Sequence, residues 1–150
     1  MENMEIENTA VTEIASAAVT EIATTGNTSY GFAASYDLST EAGQIAAFNA
    51  GVASDHKLSD FAGKTIVMTA WLVEPIEAVN QLTGELENRP HIVITDADGA
   101  TYEAQSVGLY QALQRLKAIR PVIDADNPAT IEIVNRKVRL GSMLTFKLIG

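Results

Sequence analysis

A mainly β fold, a small five-stranded barrel with one helix between its third and fourth strands, is predicted by three observations. Five segments alternate apolar and polar residues or are dense in β-branched ones, and Gly, Pro, Asp or Asn bounds each of them. One internal stretch, SVGLYQALQRLKAI, changes to the helical period, with Leu109, Leu113 and Leu116 at i, i+4 and i+7. Hydrophobic residues make up 47% of the 150 and charged ones 19%, which supports one ordinary domain with a core and argues against wholesale disorder.

Taken in order, residues 1–34 form an acidic arm, rich in Ala, Thr and Glu, with an internal echo (AVTEIAS at 10–16, AVTEIAT at 18–24) too short for a repeat architecture. The domain occupies residues 35–150. A short helix precedes strand one in LSTEAGQIAAFNAG, with Ser39 as N-cap, Glu41 in the first turn, Ile45 and Phe48 at i, i+3, and Gly51 as the stop. Strand one covers residues 64–73, with Ile66, Met68, Ala70 and Leu72 on one face and Val67, Thr69 and Trp71 on the other. A reversal at Thr83-Gly84 leads to strand two, RPHIVIT, with Ile92 and Ile94 on one face. Asp98-Gly99 makes a two-residue hairpin turn into strand three, TYEAQS. Ser106 caps the internal helix, Pro121 ends it, and strands four and five, TIEIVNRKVRL and SMLTFKLI, are joined at Gly141-Ser142.

Two tempting motifs fail. GKT at Gly63–Thr65 lacks the upstream glycine of a phosphate loop, since Leu58 stands there, and a strand follows where a helix should. TDADGATYEAQS does not fit a calcium loop: counting from Asp96 puts Thr101 at the glycine position and Val107 at the bidentate Glu. With no Cys and only His56 and His91, no metal or other cofactor is expected. No apolar run approaches the ~20 residues of a membrane span. The absence of Lys and Arg from residues 1–34 does not fit the basic start of a secretory signal, so cytoplasmic residence is expected.

Net charge is −9, but it is unevenly placed: −5 over residues 1–34, −8 over 35–103 and +4 over 104–150. A locally basic face is therefore compatible with an acidic chain. Strand, strand, strand, helix, strand, strand is the layout of the OB-fold, a barrel that binds oligonucleotides and oligosaccharides. An open sheet with one helix packed on it is the alternative.

Three stretches, LSDFAGKTIVMTAWLVEP, LTGELENRPHIVITDADGATYEAQSVGLYQALQRL and TIEIVNRKVRLGSMLTFKLI, carry a resemblance. With Gly63-Lys64 before strand one, D-x-D-G-x-x-Y from Asp96 to Tyr102 and a basic strand four, the chain resembles the small single-stranded DNA-binding proteins of phages and conjugative plasmids of Gram-positive bacteria. The likeness covers residues 38–149. It implies non-enzymatic, sequence-tolerant coating of single-stranded DNA during replication or transfer. The chain departs from the pattern at Glu74, Glu77, Glu85 and Glu87, which implies moderate, salt-sensitive affinity.

Single-strand binders join basic grooves to aromatic platforms. Arg136, Lys137 and Arg139 are the densest basic run and the main phosphate candidates; Lys147, which alternates with Phe146, and Lys64 and Arg89 on the first hairpin join them. Trp71 and Tyr102 are the aromatic candidates, each with two readings, base platform or core. Arg115, Lys117 and Arg120 belong to a solvated helix face. The acidic arm offers a route to self-association along DNA. Catalysis is not expected, because no nucleophile with its base and no carboxylate pair is apparent. The rival reading is a protein-interaction or phage structural module on the same barrel.

Overall fold

The computed structural model of the chain describes residues 30–139 and 141–150; the arm expected over residues 1–34 lies outside them as far as residue 29. The elements are β1 (Ala33–Ala34), α1 (Glu41–Val52), β2 (His56–Lys57), a 3-10 turn (Leu58–Phe61), β3 (Thr65–Val79), β4 (Leu86–Asp96), β5 (Thr101–Ala104), α2 (Val107–Ile119), β6 (Ala129–Val138) and β7 (Gly141–Leu148). The fold is mainly β: one seven-stranded sheet runs β2-β5-β4-β3-β6-β7, with β1 paired to β3 off that path. Five of the strands, β3 to β7, fall where strands are expected, with different ends at β3, β4 and β5, and two strands of two residues each, β1 and β2, are added to them. The chain divides into two compact units, Ala34–Leu72 with Pro90–Gly150, and Val73–Arg89 with the described part of Met1–Ala33.

In the larger unit, α1 corrects the expectation for its cap and its face. Ser39 gives both its N–H and its hydroxyl to Asp37 Oδ1 (3.0 and 2.5 Å), so Thr40 is the N-cap and accepts the Gly43 N–H at 3.0 Å. The helix also runs through Gly51 to Val52. Ile45 and Phe48 are 53% and 68% exposed, and the buried residues are Ala47 and Ala50, packed with Leu72 and Val93. Small residues at i, i+4 and i+7 (Gly43, Ala47, Ala50) bring the backbone in closely. At Gly43 the need is acute, because a Cβ would stand 1.8 Å from the Asp37 carbonyl oxygen.

Ile92, Val93 and Ile94 are all fully buried, so β4 is covered on both faces. Val93 owes its burial to α1, a helix whose sheet-facing residues carry too little apolar bulk to announce it. The turn after β4 is a three-residue loop instead of the two-residue Asp98-Gly99 turn. The Gly99 N–H donates to the Asp96 carbonyl (3.0 Å), the Asp96 N–H donates to the Ala100 carbonyl (2.9 Å), and Gly99 sits at φ +88°. The Asp96 carboxylate fixes it by accepting the N–H groups of Asp98 and Ala100, each at 2.9 Å. Gly63 N–H to Ile133 carbonyl (2.7 Å) and Ile133 N–H to Lys64 carbonyl (2.9 Å) open the β3–β6 ladder, which continues as Ile66↔Ile131 and Met68↔Ala129.

Helix α2 matches its periodicity: Leu109 and Leu113 are fully buried and Leu116 is nearly so. Ser106 accepts the Leu109 N–H at 3.1 Å and donates its hydroxyl to the Leu144 carbonyl at 3.0 Å, which ties the helix start to β7. Gly108 permits that approach, since a Cβ there would lie 2.4 Å from Met143 Cγ and 2.9 Å from the Leu144 carbonyl oxygen. In the last hairpin Val138 pairs with Gly141, so the reversal falls before Gly141 and not on Gly141-Ser142 as expected.

In the smaller unit β3 runs past residue 73, through Pro75, to Val79, longer than expected. Asn80 builds the bend: its Oδ1 accepts the N–H groups of Leu82 (2.8 Å) and Thr83 (3.2 Å), and its carbonyl accepts that of Gly84 (2.7 Å), at φ +77°.

Candidate nucleic-acid interface

A strand-binding surface needs cations that reach phosphate and rings that reach bases. In the larger unit, Lys64, Arg136, Lys137, Arg139 and Lys147 are all exposed, as their sequence positions suggest. The register separates them. Arg136 and Lys137 are consecutive in β6, opposite Met143 and Ser142, so they lie on opposite pleat faces. Lys147 stands across the ladder from Glu132, an opposite-charge neighbour. In the smaller unit, Arg89 is paired with Glu87, its Nε and Nη2 each 3.0 Å from Glu87 Oε1. The Asn80 amide, and then Arg89, hold the Glu87 carboxyl below its ordinary range.

A groove of about 920 Å3 lies beside the basic end of the last hairpin. Its lining includes Lys57 and Ser59, residues 103–108 and Gln111 around the start of α2, and Asn135 and Ser142 of β6 and β7. Lys137 pairs with Ser142 and shares a pleat face with Asn135, so a basic residue follows directly from the lining. The lining carries the first turn of α2, the positive end of that helix dipole. Its acid, Glu103, is engaged with His91, Oε1 to Nε2 at 2.9 Å.

The two rings singled out by sequence are both covered. Trp71 is 8% exposed, and the Lys117 ammonium sits 4.3 Å from its ring centroid. Lys117 is thus not simply part of a solvated face, and its burial pushes its pKa below the usual lysine value. Arg120 is engaged as well, donating from Nη1 to the Gly150 carbonyl oxygen at 2.8 Å. Tyr102 is 7% exposed, and its hydroxyl donates to Asp96 Oδ2 at 2.7 Å.

The ring of Tyr102 is covered by two residues that the sequence reading passed over. His56 stacks on it, centroids 5.1 Å apart at 30°, and Phe61 meets it edge-on at 4.9 Å and 83°. The readable signal was the interleaving of His56, Lys57, Phe61 and Lys64, rings and cations in one short stretch.

Burial first, then the hydrogen bond and negative charge of Asp96, push Tyr102 up to about 12 from an ordinary 10.0. The folded chain therefore keeps this proton after the unfolded chain has lost it, so stability falls as pH rises from about 10 towards about 12. Phenolate absorbance is expected to show Tyr102 ionising near pH 12, a step missing from Tyr102→Phe; ionisation near 10.0 would contradict the enclosure described.

A family model described as phage single-stranded DNA-binding protein matches residues 25–148. No curated protein and no solved structure matches the chain.

Proposed function

We propose, for a chain that belongs to the phage single-stranded DNA-binding protein family, that single-stranded DNA lies along the groove of the larger unit and is coated with little sequence preference. Binding single-stranded DNA is the property of the family. The observation that carries the placement is the run Arg136, Lys137 and Arg139, exposed beside a groove in a chain whose net charge is −9. Lys57 and Lys64 extend the cationic path, while Lys147, across the ladder from Glu132, contributes less; Arg89, in the smaller unit, is held by Glu87. Phosphate is held by these cations and by the α2 N-terminus, and contacts to the backbone carry no sequence information, which favours sequence tolerance.

The activity is binding without turnover, in the cytoplasm, serving phage replication or the replication and conjugative transfer of a plasmid. Among the described residues no group of His, Cys, Asp or Glu fits a metal ion and no helix is long and apolar enough to cross a membrane. The strand order, with β4 and β5 on one side of β3 and β6 and β7 on the other, supports the OB barrel, its gap falling between the third and fifth long strands. The acidic arm is assigned to self-association along the coated strand, where several protomers offset weak local charge.

The test is an anisotropy titration of labelled single strands, duplex and RNA at two salt concentrations. Tighter binding to single strands that weakens with salt is expected. No preference for single strands would overturn the placement and favour an interaction module. Tryptophan emission is the wrong readout, because Lys117 covers the Trp71 ring.

A further inference from the structure

The covering of Tyr102 leaves one ring with an open face. His56 belongs to β2, a two-residue strand paired in parallel with β5 in the register His56↔Tyr102, so the two rings rise side by side from neighbouring strands. One face of the imidazole is spent on the phenol ring at 5.1 Å, and Phe61 props its edge at 5.2 Å and 60°. His56 is nonetheless exposed, whereas Tyr102 is buried and Phe61 half-buried. An aromatic ring held against solvent in this way has its outer face free.

The strand that carries it is anchored from the residue before. The Asp55 N–H donates to Thr101 Oγ1 at 2.9 Å, and Asp55 Oδ2 accepts the Thr101 N–H at 3.0 Å and its hydroxyl at 3.2 Å. Those contacts occupy the Asp55 carboxylate and hold β2 on β5, so the ring is oriented before any ligand arrives. Lys57, the next residue, lines the groove.

We propose that His56 is a nucleobase platform: a base of the bound strand stacks on its outer face, and Tyr102 and Phe61 are positioning residues that hold the imidazole flat. The proposal rests on the single-strand reading and adds to it the place where a base leaves the groove. It reassigns Tyr102 from platform to support. Because every base has a π face, such a platform raises affinity without choosing sequence.

The test uses the full chain at a mildly alkaline pH. His56→Ala is expected to weaken binding to an oligothymidylate by about tenfold, the scale of one base–aromatic stack. The slope of log affinity against log salt should stay unchanged, since no phosphate contact is lost. His56→Phe should retain wild-type affinity. On an abasic strand of the same length, wild type and His56→Ala should bind alike.

Equal affinity of His56→Ala and wild type for oligothymidylate would overturn the platform, as would an equal loss on the abasic strand. A loss in His56→Phe as large as in His56→Ala, at unchanged melting temperature, would also overturn it. Failure of the wild-type chain to bind any single strand would remove the underlying reading, and the platform with it.

Discussion

Replacing Arg136, Lys137 and Arg139 together by Gln is expected to weaken single-strand binding by about 100-fold, at unchanged melting temperature, if each holds one phosphate. The salt dependence should change with it: three lost contacts at roughly 0.7 each lower the slope of log affinity against log salt by about 2. Stability should not follow, because all three side chains are exposed and surface changes of this kind stay within about 0.5 kcal/mol. Single changes should be unequal. Lys137 shares a pleat face with the groove residue Asn135 and Arg136 does not, so Lys137→Gln should account for more of the loss than Arg136→Gln. An unchanged slope in the triple variant would move the phosphate path away from the last hairpin.

Leu113→Ala should produce the complementary result, a large loss of stability with little direct effect on contacts to DNA. Leu113 is fully buried in the middle of the apolar stripe of α2, a helix that packs against β7. Truncating such a leucine costs about 2–5 kcal/mol, depending on how far the site collapses. For a chain of this length that is a fall in melting temperature on the order of 10 °C. The β7 end of the groove rests on α2 through Ser106 and Gly108, so binding should fail only as the fold melts. A melting point within a degree or so of wild type would mean that the stripe is not the core it is described as.

These two outcomes separate what was legible in the sequence from what was not. Helix α2 was readable because its large apolar residues recur at the helical period and Ser106 precedes them. The other helix, α1, was readable as an element but not as a face, because alanines and a glycine make the contact while Ile45 and Phe48 remain outside. The turn after β4 was found in place but not in kind, since it depends on the Asp96 carboxylate folding back on amides farther along the chain. Lys147 faces outward, as its alternation with Phe146 suggests, and Arg136, Lys137 and Arg139 are exposed as well. The sequence leaves the rings open between platform and core, because exposure of a ring depends on what lies over it. Trp71 is covered from a different element, and Tyr102 is covered from a segment whose anchoring residues, Asp55 and Thr101, stand 46 positions apart in the chain. Alternation along one strand says which way a side chain points; it does not say what lands on it.

The lysine laid over Trp71 has a practical consequence. The chain holds a single tryptophan, and its indole sits where β3 meets α2, so its emission is a gauge of whether that helix is seated. During denaturation the optical signal should track detachment of α2, and agreement with far-ultraviolet dichroism would show that helix and sheet part in one step. Lys117→Gln would strip the charge from above the ring and shift the emission while leaving the cations of the DNA path in place, giving an internal lamp for the fold that is blind to the ligand.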